Sequence, residues 1–142
     1  MREEADLIKT GELFFLRGNT TKVISKINVE ISDEEDGSEK GMMYRDHISD
    51  DKGMLFILKE YTERCFWMKN TSVPLDIIFA DSSKQIFRIY KDTKPFSEEL
   101  LSSGRAVKYA VEVSAGYCKR NMIGEGDTFI FNDLNGPPQE FI

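Results

Sequence analysis

The sequence predicts a mainly β fold: a single-domain β-sandwich, jelly-roll-like or barrel-like, built from about eight short strands with two short helices. Three observations carry this reading. The 142 residues include ten Phe, five Tyr and one Trp, types that suit a pleated, half-buried surface. Apolar side chains alternate at Ile27, Val29 and Ile31, and again at Val107, Tyr109, Val111 and Val113, the period of a strand with one buried face. Short apolar runs are separated by turn-forming clusters throughout, the spacing of sandwiches and barrels. The length suits one domain. We expect a flexible arm over residues 1–10, the β-rich domain over 11–132 and a flexible tail over 133–142, where Pro137 and Pro138 stand outside any strand pattern.

Each element has its own signal. "GELFFLRG" reads as a first strand and "TKVISKINVEIS" as a second. "SDEEDGSEKGMMYR" reads as a short helix ending near Tyr44, with Ser32 or Asp33 as N-cap and acids at the positive end of the helix dipole. "GMLFILK" is a continuous apolar run, a strand buried on both faces. "CFWMKNTSVPLD" follows as a strand with a turn around residues 71–74, and "LDIIFAD" and "QIFRIYKD" form a hairpin about "SSK". "TKPFSEELLSSGRA" is the longest irregular stretch and covers part of the sheet. "VKYAVEVS" is a strand, "AGYCKRNM" a helical turn and "TFIFN" the last strand.

The formal charge is −6. Residues 30–51 hold nine acids and two bases, so this one segment carries the imbalance. It is either a solvated face or a sink for cations. No stripe of Lys and Arg exists for phosphate contacts, which argues against nucleic acid as a partner. No apolar run is long enough to span a bilayer as a helix, and the start as given has no signal core. Cys65 and Cys118 lie 53 positions apart with no metal-ligand spacing. No GxSxG, HExxH, GxGxxG or phosphate loop occurs, so neither a cofactor nor a metal is implied.

The residues that can carry chemistry cluster around the only Trp. In strand geometry Cys65, Trp67 and Lys69 share one face and Phe66, Met68 and Asn70 the other. Lys69 is then a cation lying over an indole, or a cationic anchor beside an aromatic wall. Asn70 and Asp76 flank the turn, as local backbone partners or as ligand contacts. Asp76, if desolvated, needs a partner, with Lys69 and Arg45 as candidates. Glu112 stands between Val111 and Val113: exposed, salt-bridged, or buried with a raised pKa fit for a general acid. Arg45 either offsets a helix dipole or forks onto a carboxylate or phosphate. His47 is the only His and suits solvent better than catalysis. Met42, Met43, Met54 and Met68 are core filler, or soft ligands for Cu(I).

Four stretches in order, "KINVEISDEEDGSEKGMMYRDHISDDKGMLFI", "CFWMKNTSVPLDIIFAD", "IFRIYK" and "KYAVEVSAGYCKRNMIGEGD", cover about residues 26–131. Together they resemble the family filed as domain of unknown function 192. The resemblance implies a compact, mostly β domain of sandwich or jelly-roll type with no assigned biochemical role. It also implies a protein exported or held on the envelope side, since relatives often carry an export or lipoprotein signal. The family's recurrent polar positions match here as Arg45, Lys69, Asn70, Thr71, Asp76 and Glu112.

Three readings of function follow. The first is a binding or accessory module for a small anionic or sugar-like ligand, held by Arg45, Trp67, Lys69, Asn70 and Asp76. The second is a hydrolase using an Asp76/Glu112 carboxylate pair. The third is a structural domain locked by a buried ion-pair network.

Overall fold

The computed structural model describes residues 9–33 and 41–134. Among the described residues nine strands run in chain order with one short helix: β1 (Lys9–Leu16), β2 (Val23–Asp33), β3 (Lys52–Thr62), β4 (Cys65–Phe66), β5 (Leu75–Ala80), β6 (Ile86–Tyr90), β7 (Leu101–Ser102), β8 (Val107–Ser114), α1 (Tyr117–Asn121) and β9 (Thr128–Asp133). Seven strands form one sheet in the order β6-β5-β8-β3-β2-β1-β9, and β4 pairs with β7 as a separate ribbon. All neighbours are antiparallel except β2 and β3, which run parallel. The class is therefore the mainly β one expected.

The sheet curls on itself without closing into a barrel. Its outer strands, β6 and β9, approach at a single bridge between Gln85 and Thr128, reinforced by backbone bonds between Ile86 and Asp127 and between Gly126 and Ile86. Inside the curl lies one core, in which Leu13, Phe15, Ile27, Leu55, Val111 and Phe129 meet. Tyr117 and Cys118 of α1 are buried against the same core. The alternation in β2 and β8 follows from this: Ile27, Val29 and Ile31, with Tyr109, Val111 and Val113, all face inward.

A second core covers the opposite face of β3, β5 and β8. Phe56, Leu58, Ile77 and Phe79 rise from the sheet, while Met42, Met68 and Val73 descend from loops above it. Phe66 of β4 and Leu101 of β7 pack on it from the ribbon. Hence β3 is apolar on both faces, as "GMLFILK" requires, because it lies between two cores. Met42, Met54 and Met68 are filler in this second core.

Two expectations need correction. Ser32 and Asp33 cap no helix: they are the end of β2, paired in register with Phe56 and Ile57. The strand ladder takes their backbone groups, and residues 41–44 form a turn. The middle of that expected helix, residues 34–40, lies outside the described residues, as do most of the arm and tail. The strand read over 65–70 stops at Phe66, and Met68 to Thr71 instead close a tight turn in which Asn70 is left-handed (φ 56°).

Candidate functional site

The second core is incomplete at one point. Met42, Phe66, Met68 and Leu75 wall a cavity of about 150 Å³, with Glu112 set into its lining. Gly41, Arg64, Cys65, Trp67 and Thr71 complete the lining. The pleat explains why a carboxylate is there. Glu112 shares its face of β8 with Ala110, and it is paired with Met54 of β3 and Ile77 of β5. A side chain in the middle of that sheet has nowhere to go but into the second core.

Glu112 is only 5% exposed, and burial pushes its carboxyl up to about 7. Two effects oppose the rise: the positive charge of Arg45 and a hydrogen bond donated by the backbone N–H of Met42. Oε1 has no hydrogen-bond partner among the described residues. Gly41 packs directly above: a Cβ there would stand 3.0 Å from Oε1 and 3.1 Å from the Phe56 ring, and its φ of +37° is itself in the region side chains avoid. A glycine at position 41 thus lets backbone cover the carboxyl.

Arg45 follows one of the two courses open to it in the sequence. Its guanidinium forks onto Glu30, with Nη1 donating to Oε2 at 2.7 Å and Nη2 to Oε1 at 2.8 Å. Those bonds hold the Glu30 carboxyl below the ordinary range. Glu30, Met54 and Glu112 form one row across β2, β3 and β8, so Arg45 holds the first carboxylate while its field reaches the last.

Asp76 faces the other way. It pairs with Val113, and Val113 points into the inner core. Asp76 is fully buried, yet its partner is neither Lys69 nor Arg45. Oδ1 accepts from the backbone N–H of Asp92 at 2.9 Å and of Gly116 at 3.2 Å, and Oδ2 from that of Cys118 at 3.0 Å. The carboxylate fastens the start of α1 and the loop after β6 to the end of β5. Asp76 and Glu112 therefore leave opposite faces of the sheet, and the carboxylate pair of the hydrolase reading shares no cleft.

Lys69 lies over the Trp67 ring, its ammonium 5.1 Å from the centroid. Asn70 donates its side-chain amide to the Tyr44 hydroxyl at 3.0 Å, and its backbone carbonyl accepts from the Tyr44 N–H at 2.9 Å. His47 is exposed beside Ser49, away from Glu112. Of the five expected ligand-binding residues, only Trp67 lines the cavity, together with Glu112 and Thr71. Arg45 instead lines a larger, separate depression with Glu30 and His47. Sequence reasoning did not select Met42, Arg64 or Cys65 for the cavity. Glu112 was visible as a charge inside an apolar strand, but the others reach the cavity only through the ribbon and the turn over 42–45.

Comparison with known proteins gives the family and the fold. A profile for domain of unknown function 192, described as an uncharacterized ACR, matches residues 17–131. Among solved structures, a protein from Sinorhizobium meliloti 1021, described provisionally as a transcription regulator, superposes with a TM-score of 0.80 at 31% identity, over 86% of this chain and 93% of its own. A protein of unknown function from Novosphingobium aromaticivorans superposes with a TM-score of 0.75 at 26% identity, over 84% of this chain and 83% of its own. No curated protein is significantly similar. The chain belongs to the domain of unknown function 192 family.

Proposed function

We propose that the domain is a binding module and that the Glu112 cavity takes one sugar-like unit of a small ligand. The observation that carries this is the buried Glu112 Oε1, which lacks a partner among the described residues and lines a cavity bounded by Trp67. Buried polar atoms without partners are costly. A hydroxyl group of a ligand would supply the missing donor, and the indole an apolar wall for a ring. A cavity near 150 Å³ holds about one six-membered ring.

An anionic ligand suits this cavity poorly. Its lining sets the buried acid Glu112 against one cation, Arg64, and Arg45, whose charge also reaches Glu112, is already forked onto Glu30. A regulator that binds DNA finds no support in a chain of net charge −6 without a basic stripe. The hydrolase reading loses its carboxylate pair, as described above.

The test is titration of the protein with neutral monosaccharides, followed by NMR of the Trp67 indole, beside Glu112→Leu, which removes the acceptor. Saturable shifts in the wild type that vanish in Glu112→Leu are expected. Shifts that persist in that variant, or none for any sugar, would overturn the assignment.

A further inference from the structure

Three tight turns lie against one another beside the cavity. Each is closed by a backbone bond from its fourth residue to its first: Arg45 to Met42 at 3.2 Å, Thr71 to Met68 at 3.1 Å, and Ser97 to Lys94 at 3.3 Å. Each carries a left-handed residue in third position: Tyr44 (φ 63°), Asn70 (φ 56°) and Phe96 (φ 64°). The turns are also bonded to one another. Tyr44 N–H donates to Asn70, Phe96 N–H to Thr71, and Met68 N–H to Ser97.

That third position favours Gly, with Asn next, because a Cβ is crowded there. Asn70 fits the rule. Tyr44 and Phe96 break it, and their side chains gain little burial in return: Tyr44 is 81% exposed and Phe96 62% exposed. Apart from the bond that the Asn70 amide donates to the Tyr44 hydroxyl, burial does not repay this strain, and such strain concentrates at binding sites. Met42, Met68 and Thr71, which begin or end two of these turns, line the Glu112 cavity.

We propose that Tyr44 and Phe96 form a stacking platform that continues the Glu112 cavity outward, so that the ligand is a carbohydrate chain with its terminal unit in the cavity. This rests on the sugar-binding reading above and adds the length of the ligand. Rings beyond the first would lie against the two exposed aromatic faces.

The experiment compares glucose and N-acetylglucosamine, each as the monomer and as the β-1,4-linked tetramer, by calorimetry. The proteins are the wild type, Tyr44→Gly, Phe96→Gly and Glu112→Leu. Glycine is chosen because the left-handed backbone accepts it, so both turn variants should fold, Tyr44→Gly losing only the bond from the Asn70 amide. A tetramer should bind tighter than its monomer, and each glycine variant should weaken the tetramer about tenfold. Monomer affinity in those two variants should stay within about twofold. A monomer that binds through Glu112 with no gain for its tetramer would overturn the platform and leave the cavity reading standing. No binding by any of the four sugars would overturn both. Concentration-dependent sedimentation of the wild type that disappears in Phe96→Gly would assign the platform to a second copy of the chain, and would also overturn the proposal.

Discussion

Asp76 and Glu112 belong to neighbouring strands and point out of opposite faces of one sheet. Ile77 stands opposite Glu112 in the β5–β8 register, so Asp76, one residue earlier, is turned to the inner core. One carboxylate is fully used by the fold: three backbone N–H groups converge on Asp76. The other is left with an oxygen that the described residues do not satisfy. The contrast separates an acid satisfied by the fold from one that the described residues leave unsatisfied.

Asp76→Ala strips the acceptor from three N–H groups, each left unsatisfied at about 1–3 kcal/mol. We expect a loss of about 3–5 kcal/mol in all, a figure typical of breaking a buried charged network. The thermal midpoint should fall by roughly 10 °C or more. Lys69→Ala removes only the contact with Trp67 and should cost about 1 kcal/mol or less. Midpoints for the two variants that fall equally would contradict the separate roles given to these residues.

Glu112 makes stability depend on pH with a definite sign. Its folded pKa of about 7 lies above the ordinary 4.5. The unfolded chain therefore releases this proton first, and the folded state loses relative stability as pH rises from about 4.5 to about 7. The shift corresponds to about 3 kcal/mol. Below pH 4.5 both states hold the proton and the penalty vanishes. Glu112→Gln should flatten this slope and be the more stable protein at pH 8, as measured by urea unfolding across the range. A slope unchanged by the substitution would mean that the carboxyl does not titrate as burial requires.

Arg45 works on two carboxyls at once. Its bonds lower Glu30, and its charge restrains the rise of Glu112. In Arg45→Ala both should titrate at higher pH than in the wild type, with Glu112 moving above 7. Carbon-detected NMR titration of the side-chain carboxyls measures each separately. Movement of Glu30 alone would show that the field of Arg45 does not reach the cavity.

The two thiols should differ sharply in reactivity. Cys65 is exposed and lines the cavity. Cys118 is buried, and burial followed by the negative charge of Asp76 pushes its thiol up to about 12. The thiolate is the reactive form. Native protein should take up one equivalent of a thiol reagent, at Cys65, and a second only on unfolding. Rapid labelling of both sites in the native state would refute this burial.

The strands were legible because their burial is simple. Period-two alternation marked β2 and β8, and an unbroken apolar run marked β3 between its two cores. Ser32 and Asp33 misled as caps, since such residues also occur at a strand end, and only the parallel pairing with β3 distinguishes the two. Glu112 and Asp76 stood out as charges within apolar strands. Which faces they share depends on the offset between β5 and β8, and no pattern within either strand encodes that offset. The stretch after β6 was legible only as irregular, and nothing in the sequence marks Phe96 as left-handed.

The three bonded turns come from residues 42–45, 68–71 and 94–97, far apart along the chain. Their mutual bonds can form only after β3, β5 and β8 have brought the segments together, so this face is assembled late in folding. It also follows that they open together: losing the Asn70 turn releases the Tyr44 and Phe96 turns in the same event. Amide exchange at these three places should report one shared opening, separate from that of the sheet beneath. An occupant of the cavity would slow all three by the same factor, including at Phe96, whose turn touches the cavity only through its neighbour.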